Sequence, residues 1–217
     1  MSHEYGLTFR VLMVITLSLG LAGCAARSHS LYDAVPAEAN AIAAEHSILI
    51  ATSRGKAENA AEVFDGTRAE DLSYARVNIT IPAVHKSGAL EQPRAGGERD
   101  ASLHFAAREV AVYRDGTEFN KVLKERLRKT DGRALVFIHG YRTPFDGSIY
   151  RMAQIIHDSG YKGTPVLFSW ASTGRTVDYI YDNNSATVAR DGLERTLRHL
   201  REAGATRIDI VAHSMGN

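Results

Sequence analysis

The spacing of apolar positions changes along the chain, and each change marks an element. Ser47-Ile48-Leu49-Ile50-Ala51-Thr52 is a short apolar run that predicts a strand. Ala75 to Ile81 alternates at period two through Val77, Ile79 and Ile81, so a half-buried strand is predicted there, stopped by Pro82. From Thr117 the period becomes helical. Phe119, Val122, Leu123 and Leu127 share one face, and Lys and Arg gather toward the end, where they suit the helix dipole. Asp131-Gly132 ends this helix. Ala134 to Ile138 is continuously apolar, as expected of a strand buried on both faces of a parallel sheet. Ile149, Met152, Ala153 and Ile156 predict a second helix closed by Ser159-Gly160, and Pro165 to Trp170 the next strand. A Tyr-rich stretch, 176–184, leads into a helix over about 185–202 with Ala189, Leu193, Leu197 and Leu200 on one face and Gly204 as its cap. Ile208 to Val211 is the last strand.

Strands alternating with helices predict a three-layer, mainly parallel α/β sheet with right-handed crossovers. The strands near 48 and 77 precede the alternation and are expected as antiparallel edge additions. The polar stretches 54–72 and 86–100 are expected as loops, the second exposed.

The N-terminus changes the picture. Arg10 precedes an apolar run, Val11 to Leu21, of signal-peptide length, and it ends in Leu21-Ala22-Gly23-Cys24. That ending resembles the lipobox of bacterial lipoproteins. The resemblance implies cleavage before Cys24 and acylation of its thiol and of the new N-terminus. Cys24 is the only cysteine, so no disulfide can form within a monomer. Several acyl chains would anchor the protein stably. The expected organisation is a signal peptide (1–23), a tether (24–46), within which 37–46 could form a short helix, and a globular body (47–217). The expected place is the cell envelope; Ala25 after the cysteine favours the periplasmic face of the outer membrane.

Charge and motifs remove other classes. A net charge of +1 gives no reason to expect a nucleic-acid partner. There is no GxxxxGK[ST] phosphate loop, no GxGxxG and no zinc-like His/Cys spacing, so neither a cofactor nor a metal is expected.

Two turns after buried strands carry the candidate chemistry. One is Ile138-His139-Gly140-Tyr141; the other is Ala212-His213-Ser214-Met215-Gly216. In an open α/β sheet the site lies beyond the carboxyl ends of the strands, where both turns fall. A serine on a tight turn after a strand is how a nucleophile elbow presents its hydroxyl.

With these turns, the chain from about 47 to 217 resembles a group of bacterial α/β-hydrolases, lipase/esterase-like and of unknown function. Further carrying segments are Ala51-Thr52-Ser53-Arg54, Leu72 to Val77, Ile81-Pro82 with His85-Lys86, and Val166 to Trp170. The resemblance implies Ser214 as nucleophile toward a small ester or acyl substrate. It implies the backbone N–H groups of Met215 and Tyr141 as oxyanion donors. Gly140 and Gly216 would permit close approach, His139 would brace its loop, and His213 would be structural. Tyr141, Tyr179 and Tyr181 are candidates to line an acyl or alcohol pocket.

In this fold the triad runs Ser, then Asp or Glu, then His along the chain. None of the nine histidines follows Ser214. The sequence therefore reads as the N-terminal portion of such a domain, truncated after the elbow strand, with negligible hydrolase activity expected of the 217 residues alone. The last strand would be central in a whole domain, and its edge is expected to be open here. The alternative reading is a non-catalytic, membrane-tethered lipoprotein, either an envelope component or a degenerate gene product.

Overall fold

The computed structural model describes residues 38–58, 62–94 and 97–217. The expected signal peptide and Cys24 lie outside these residues. Strands β1 (Ile42–Lys56), β2 (Phe64–Pro82) and β3 (Ala106–Tyr113) come first. Then follow α1 (Gly116–Arg128), β4 (Arg133–Ile138), α2 (Phe145–Ser159), β5 (Thr164–Ser169), α3 (Tyr179–Val188), α4 (Arg190–Glu202) and β6 (Arg207–Ala212). They form one six-stranded sheet of order β3-β2-β1-β5-β4-β6. β1, β5, β4 and β6 pair parallel in that order, while β2 runs antiparallel to both of its neighbours. The architecture is α/β.

Period-two alternation sends successive side chains to opposite faces. Ile48, Ile50, Leu135, Phe137 and Leu167 therefore meet Ile149, Met152 and Ile156 of α2. Leu49, Val136, Val166 and Phe168 meet Phe119, Leu123 and Leu127 of α1 and Leu200 of α4 on the other face. A one-residue slip in any of these strands would exchange its two apolar sets. Helix ends follow local chemistry. The Asp115 carboxylate accepts from the N–H groups of Thr117 and Glu118 at 2.9 and 3.0 Å, satisfying donors that the first turn of α1 leaves free. α2 stops where Gly160 turns left-handed at φ 61°.

Several sequence expectations need correction. β1 opens at Ile42, and Ala39–Ala41 form a short 3-10 turn in place of a helix over 37–46. The stretch expected as a loop over 54–72 is largely strand. Backbone pairing carries the β1–β2 ladder through Arg54↔Arg68 and Lys56↔Phe64, so polar side chains do not interrupt it. β1 is no edge addition: it lies between β2 and β5 and is parallel to β5. β3, unread in the sequence, forms the edge against β2. The Tyr-rich stretch is helical, and Ala189 separates it from α4. β6 pairs with β4 alone among the described residues, leaving Ile210 half exposed. No helix among the described residues is long and apolar enough to cross a membrane.

Candidate active site

The carboxyl ends of β1, β4, β5 and β6 lie along one end of the sheet, because all four run the same way. β6 ends in a tight turn. Ser214 sits at φ 54°, the left-handed region that side chains other than glycine avoid. The turn is held at its base, where the His213 N–H donates to the Ile138 carbonyl at 3.0 Å. The N–H of Gly216 closes onto the His213 carbonyl at 3.0 Å. A strained serine costs on the order of 1–3 kcal/mol and persists only where its surroundings over-determine it. Here the surroundings are two glycines. A Cβ on Gly140 would stand 2.7 Å from His213 Nδ1 and 2.9 Å from Ser214 Cβ. A Cβ on Gly216 would stand 2.6 Å from the His139 carbonyl oxygen. The turns after β4 and β6 therefore interlock backbone to backbone.

His139 lies beneath this junction, 1 % exposed, with its ring stacked on Trp170 at 4.7 Å. Its Nδ1 is 2.9 Å from the Gly140 carbonyl oxygen, and its own carbonyl accepts from the Trp170 indole N–H at 2.8 Å. Burial, reinforced by the neighbouring Arg54 guanidinium, pushes its pKa down to about 3. The imidazole is enclosed by Gly140, Trp170, Ser169 and Arg54, and no hydrogen bond joins it to Ser214.

Two buried charges frame the same loop. Arg54 is 1 % exposed and donates through Nε to Ser169 Oγ at 2.8 Å. Its Nη1 donates to the carbonyls of Asp65 and Ser172 at 3.1 and 2.7 Å, and its Nη2 to that of Thr143 at 2.7 Å. Burial lowers its pKa to about 10, partly offset by Asp146, Asp182 and Asp65, so the guanidinium stays charged at neutral pH. Asp182 accepts from Ser172 Oγ at 2.6 Å and from the N–H groups of Arg142 and Thr173, both at 3.1 Å. Arg54 thus takes the carbonyls of the 143 and 172 turns, and Asp182 takes amides of the 142 and 173 positions. The two side chains are joined through peptide groups without touching. Arg142, at φ 55°, is held in its left-handed conformation by this bond to Asp182.

Ser214 faces a groove of about 400 Å³ whose walls include Tyr141, Tyr179, Asn183, Thr187 and Arg190. A recess of about 230 Å³ adjoins it through Met215 and Arg190, its walls including Ile138, Phe168, Trp170 and Leu193. The edge of one ring meets the face of the other between Tyr141 and Tyr179, at 5.3 Å, and the Tyr141 hydroxyl donates to the Thr176 carbonyl. Tyr181 takes no part in the groove. Its hydroxyl donates to the Gly66 carbonyl at 3.0 Å and its ring lies under Arg68.

Among the described residues no side chain is hydrogen-bonded to the Ser214 hydroxyl; its carbonyl accepts from the backbone and side chain of Asn217. Among the described residues, five histidines away from the elbow have partners elsewhere, His104 accepting from the Asp100 N–H at 3.1 Å. His46 contacts His157, His85 lies between Glu91 and Asp158, and His199 joins Tyr74 and Asn120. The structure thus brings Ser214, Met215, Gly216, His213, His139, Gly140 and Tyr141 together. It adds Arg54 and Asp182, to which sequence reasoning gave no role. The available signal for Arg54 was a cation directly following a buried strand run at the site end of the sheet.

Residues 115–217 match the model of a family described as alpha/beta hydrolase of unknown function (DUF900). The match begins at the cap of α1 and takes in both turns of the site. No curated protein and no solved structure matches the chain.

Proposed function

We propose that Ser214 is the nucleophile of a serine hydrolase acting on carboxylic-ester-type substrates through an acyl-enzyme. The observation that carries the reading is the left-handed Ser214 at the end of a parallel strand, wedged by Gly140 and Gly216. A serine held this way projects from the sheet, and it is exposed. Its hydroxyl oxygen would attack the ester carbonyl carbon and its proton would pass to a base. The N–H groups of Met215 and Tyr141 would stabilise the oxyanion, and the alcohol would leave with a proton. Fixed donors of this kind contribute most where charge develops. The match to an alpha/beta hydrolase model over residues 115–217 supports the same reading.

The base is what Ser214 lacks among the described residues. Such a serine is a weak nucleophile at neutral pH, and a site missing a triad member retains only residual catalysis. That observation also favours a second reading, a tethered component without turnover. Added imidazole separates the two, since Ser214 is open to a small base. The first reading expects an imidazole-dependent rise in p-nitrophenyl ester hydrolysis by the 217-residue chain that exceeds the rise with Ser214→Ala. Equal rates in the two proteins would favour the second.

We propose further that Cys24 carries acyl chains and holds the domain at the cell envelope, at the periplasmic face of the outer membrane. The support is the Leu21-Ala22-Gly23-Cys24 sequence behind an apolar run.

A further inference from the structure

We infer that Arg54 is a positioning residue: it fixes the tautomer of His139 and, through it, the direction of the Gly140–Tyr141 peptide. The functional sense of this relay rests on the reading of Tyr141 as an oxyanion donor; the relay itself rests on geometry.

The argument begins with the two imidazole nitrogens. Nδ1 has one neighbour, the Gly140 carbonyl oxygen at 2.9 Å, which can only accept. Nε2 has three: the Trp170 carbonyl oxygen at 3.1 Å, Ser169 Oγ at 3.3 Å and Arg54 Nη2 at 3.4 Å. A neutral ring carries one N–H. With the proton on Nε2, the Nδ1 lone pair would face the Gly140 oxygen, and an N–H would face a guanidinium that can only donate. With the proton on Nδ1, the Gly140 oxygen is satisfied and the single Nε2 lone pair accepts from Arg54. The Ser169 oxygen accepts from Arg54 Nε at 2.8 Å, and its proton has an acceptor in Ser148 Oγ at 3.4 Å, whose own proton goes to the Phe145 carbonyl at 2.6 Å. The Trp170 carbonyl is not orphaned, since it accepts from the Ser172 N–H at 2.9 Å. The cation decides between the two tautomers.

The next link is the peptide. Among the described residues no peptide bond is cis, so the C=O of Gly140 and the N–H of Tyr141 point to opposite sides. A Gly140 carbonyl drawn to the buried Nδ1 turns the Tyr141 N–H away from the imidazole. An unpinned Gly140–Tyr141 peptide could rotate and lose that direction, since glycine offers little resistance.

Arginine is needed because three of its nitrogens are engaged at once. Nε on Ser169, Nη1 on Asp65 and Ser172, and Nη2 on Thr143 leave the fork one orientation. An ammonium could not hold all of these.

The test is a long-range proton–nitrogen NMR spectrum of the full chain with nitrogen-labelled histidine, His139 being identified by its loss in His139→Gln. The wild type is expected to show Nδ1 protonated and Nε2 bare; an Nε2–H ring would overturn the proposal. In Arg54→Lys the ring is expected to move toward Nε2–H, bonded to the Trp170 carbonyl, and the Tyr141 amide signal to move with it. A folded Arg54→Lys protein with an unchanged ring, or with a changed ring and an unmoved Tyr141 amide, would also overturn it. Should that variant not fold, Arg54→Gln takes its place, with the same expected and overturning results. A Ser214 inert toward esters would remove the hydrolase reading and leave these spectra as they are.

Discussion

Gly140 leaves no room for a side chain beside Ser214: a Cβ at the first would lie 2.9 Å from the Cβ of the second, although 74 positions separate them in the sequence. β4 and β6 are parallel neighbours, with Ile138 opposite Ala212, so the turns that leave them must pass each other. Glycine at 140 and 216 is what permits that passage.

Gly140→Ala and Gly216→Ala are therefore expected to destabilise the protein by about 1–3 kcal/mol each, the usual cost of forcing atoms into a filled space. Both should also slow modification of Ser214, since relief of either clash moves the elbow. Urea unfolding with a parallel labelling time course checks this, and wild-type values in both would contradict the interlocked turns.

Acid should weaken the fold partly through His139. Folded, this ring takes a proton only near pH 3, whereas in the unfolded chain it does so near the ordinary 6.5. Between those values the unfolded chain binds more protons, so stability falls as pH is lowered, by up to about 1.4 kcal/mol per pH unit. His46, lowered to about 4 by burial and by His157, acts in the same direction. His139→Gln should make the decline below pH 6 shallower without abolishing it. An unchanged slope would mean that the ring is not held neutral.

His85 should act with the opposite sign. Burial alone would lower its pKa, but hydrogen bonds from its ring to Asp158 and Glu91, at 2.8 and 2.7 Å, outweigh that and raise it. Its contribution is full below the unfolded value of 6.5 and fades as pH climbs through the raised folded value. His85→Asn is thus expected to cost more stability at pH 6 than at pH 9, by thermal or urea unfolding. Equal losses at the two values would show that the clamp does not depend on an imidazolium.

Metabolic labelling with palmitate tests the anchor. The full-length protein should take up label and move with membranes, and Cys24→Ser should do neither. Label retained by Cys24→Ser would place the acyl chain elsewhere or nowhere specific.

The sequence made the parallel half of this fold legible, because β4, β5 and β6 are short apolar runs separated by amphipathic helices. It also marked both turns of the site. What it hid were features whose signals are not apolar periodicity. β1 and β2 continue as a backbone ladder through polar residues such as Arg54 and Arg68. β3 has only weak alternation and is fixed by pairing with β2. Arg54 and Asp182 look like ordinary surface charges in the sequence. Their burial follows from the carbonyls, amides and hydroxyls that converge on them, and these come from segments far apart in the chain.

The central claim, that Ser214 is a nucleophile, is tested most directly by mass spectrometry of the chain after exposure to a fluorophosphonate with imidazole present. Attack by the Ser214 hydroxyl on phosphorus expels fluoride and leaves a phosphonyl group on that oxygen. The account predicts a single adduct on the peptide containing Ser214, absent from Ser214→Ala. An unmodified protein, or an adduct that survives in Ser214→Ala, would contradict it.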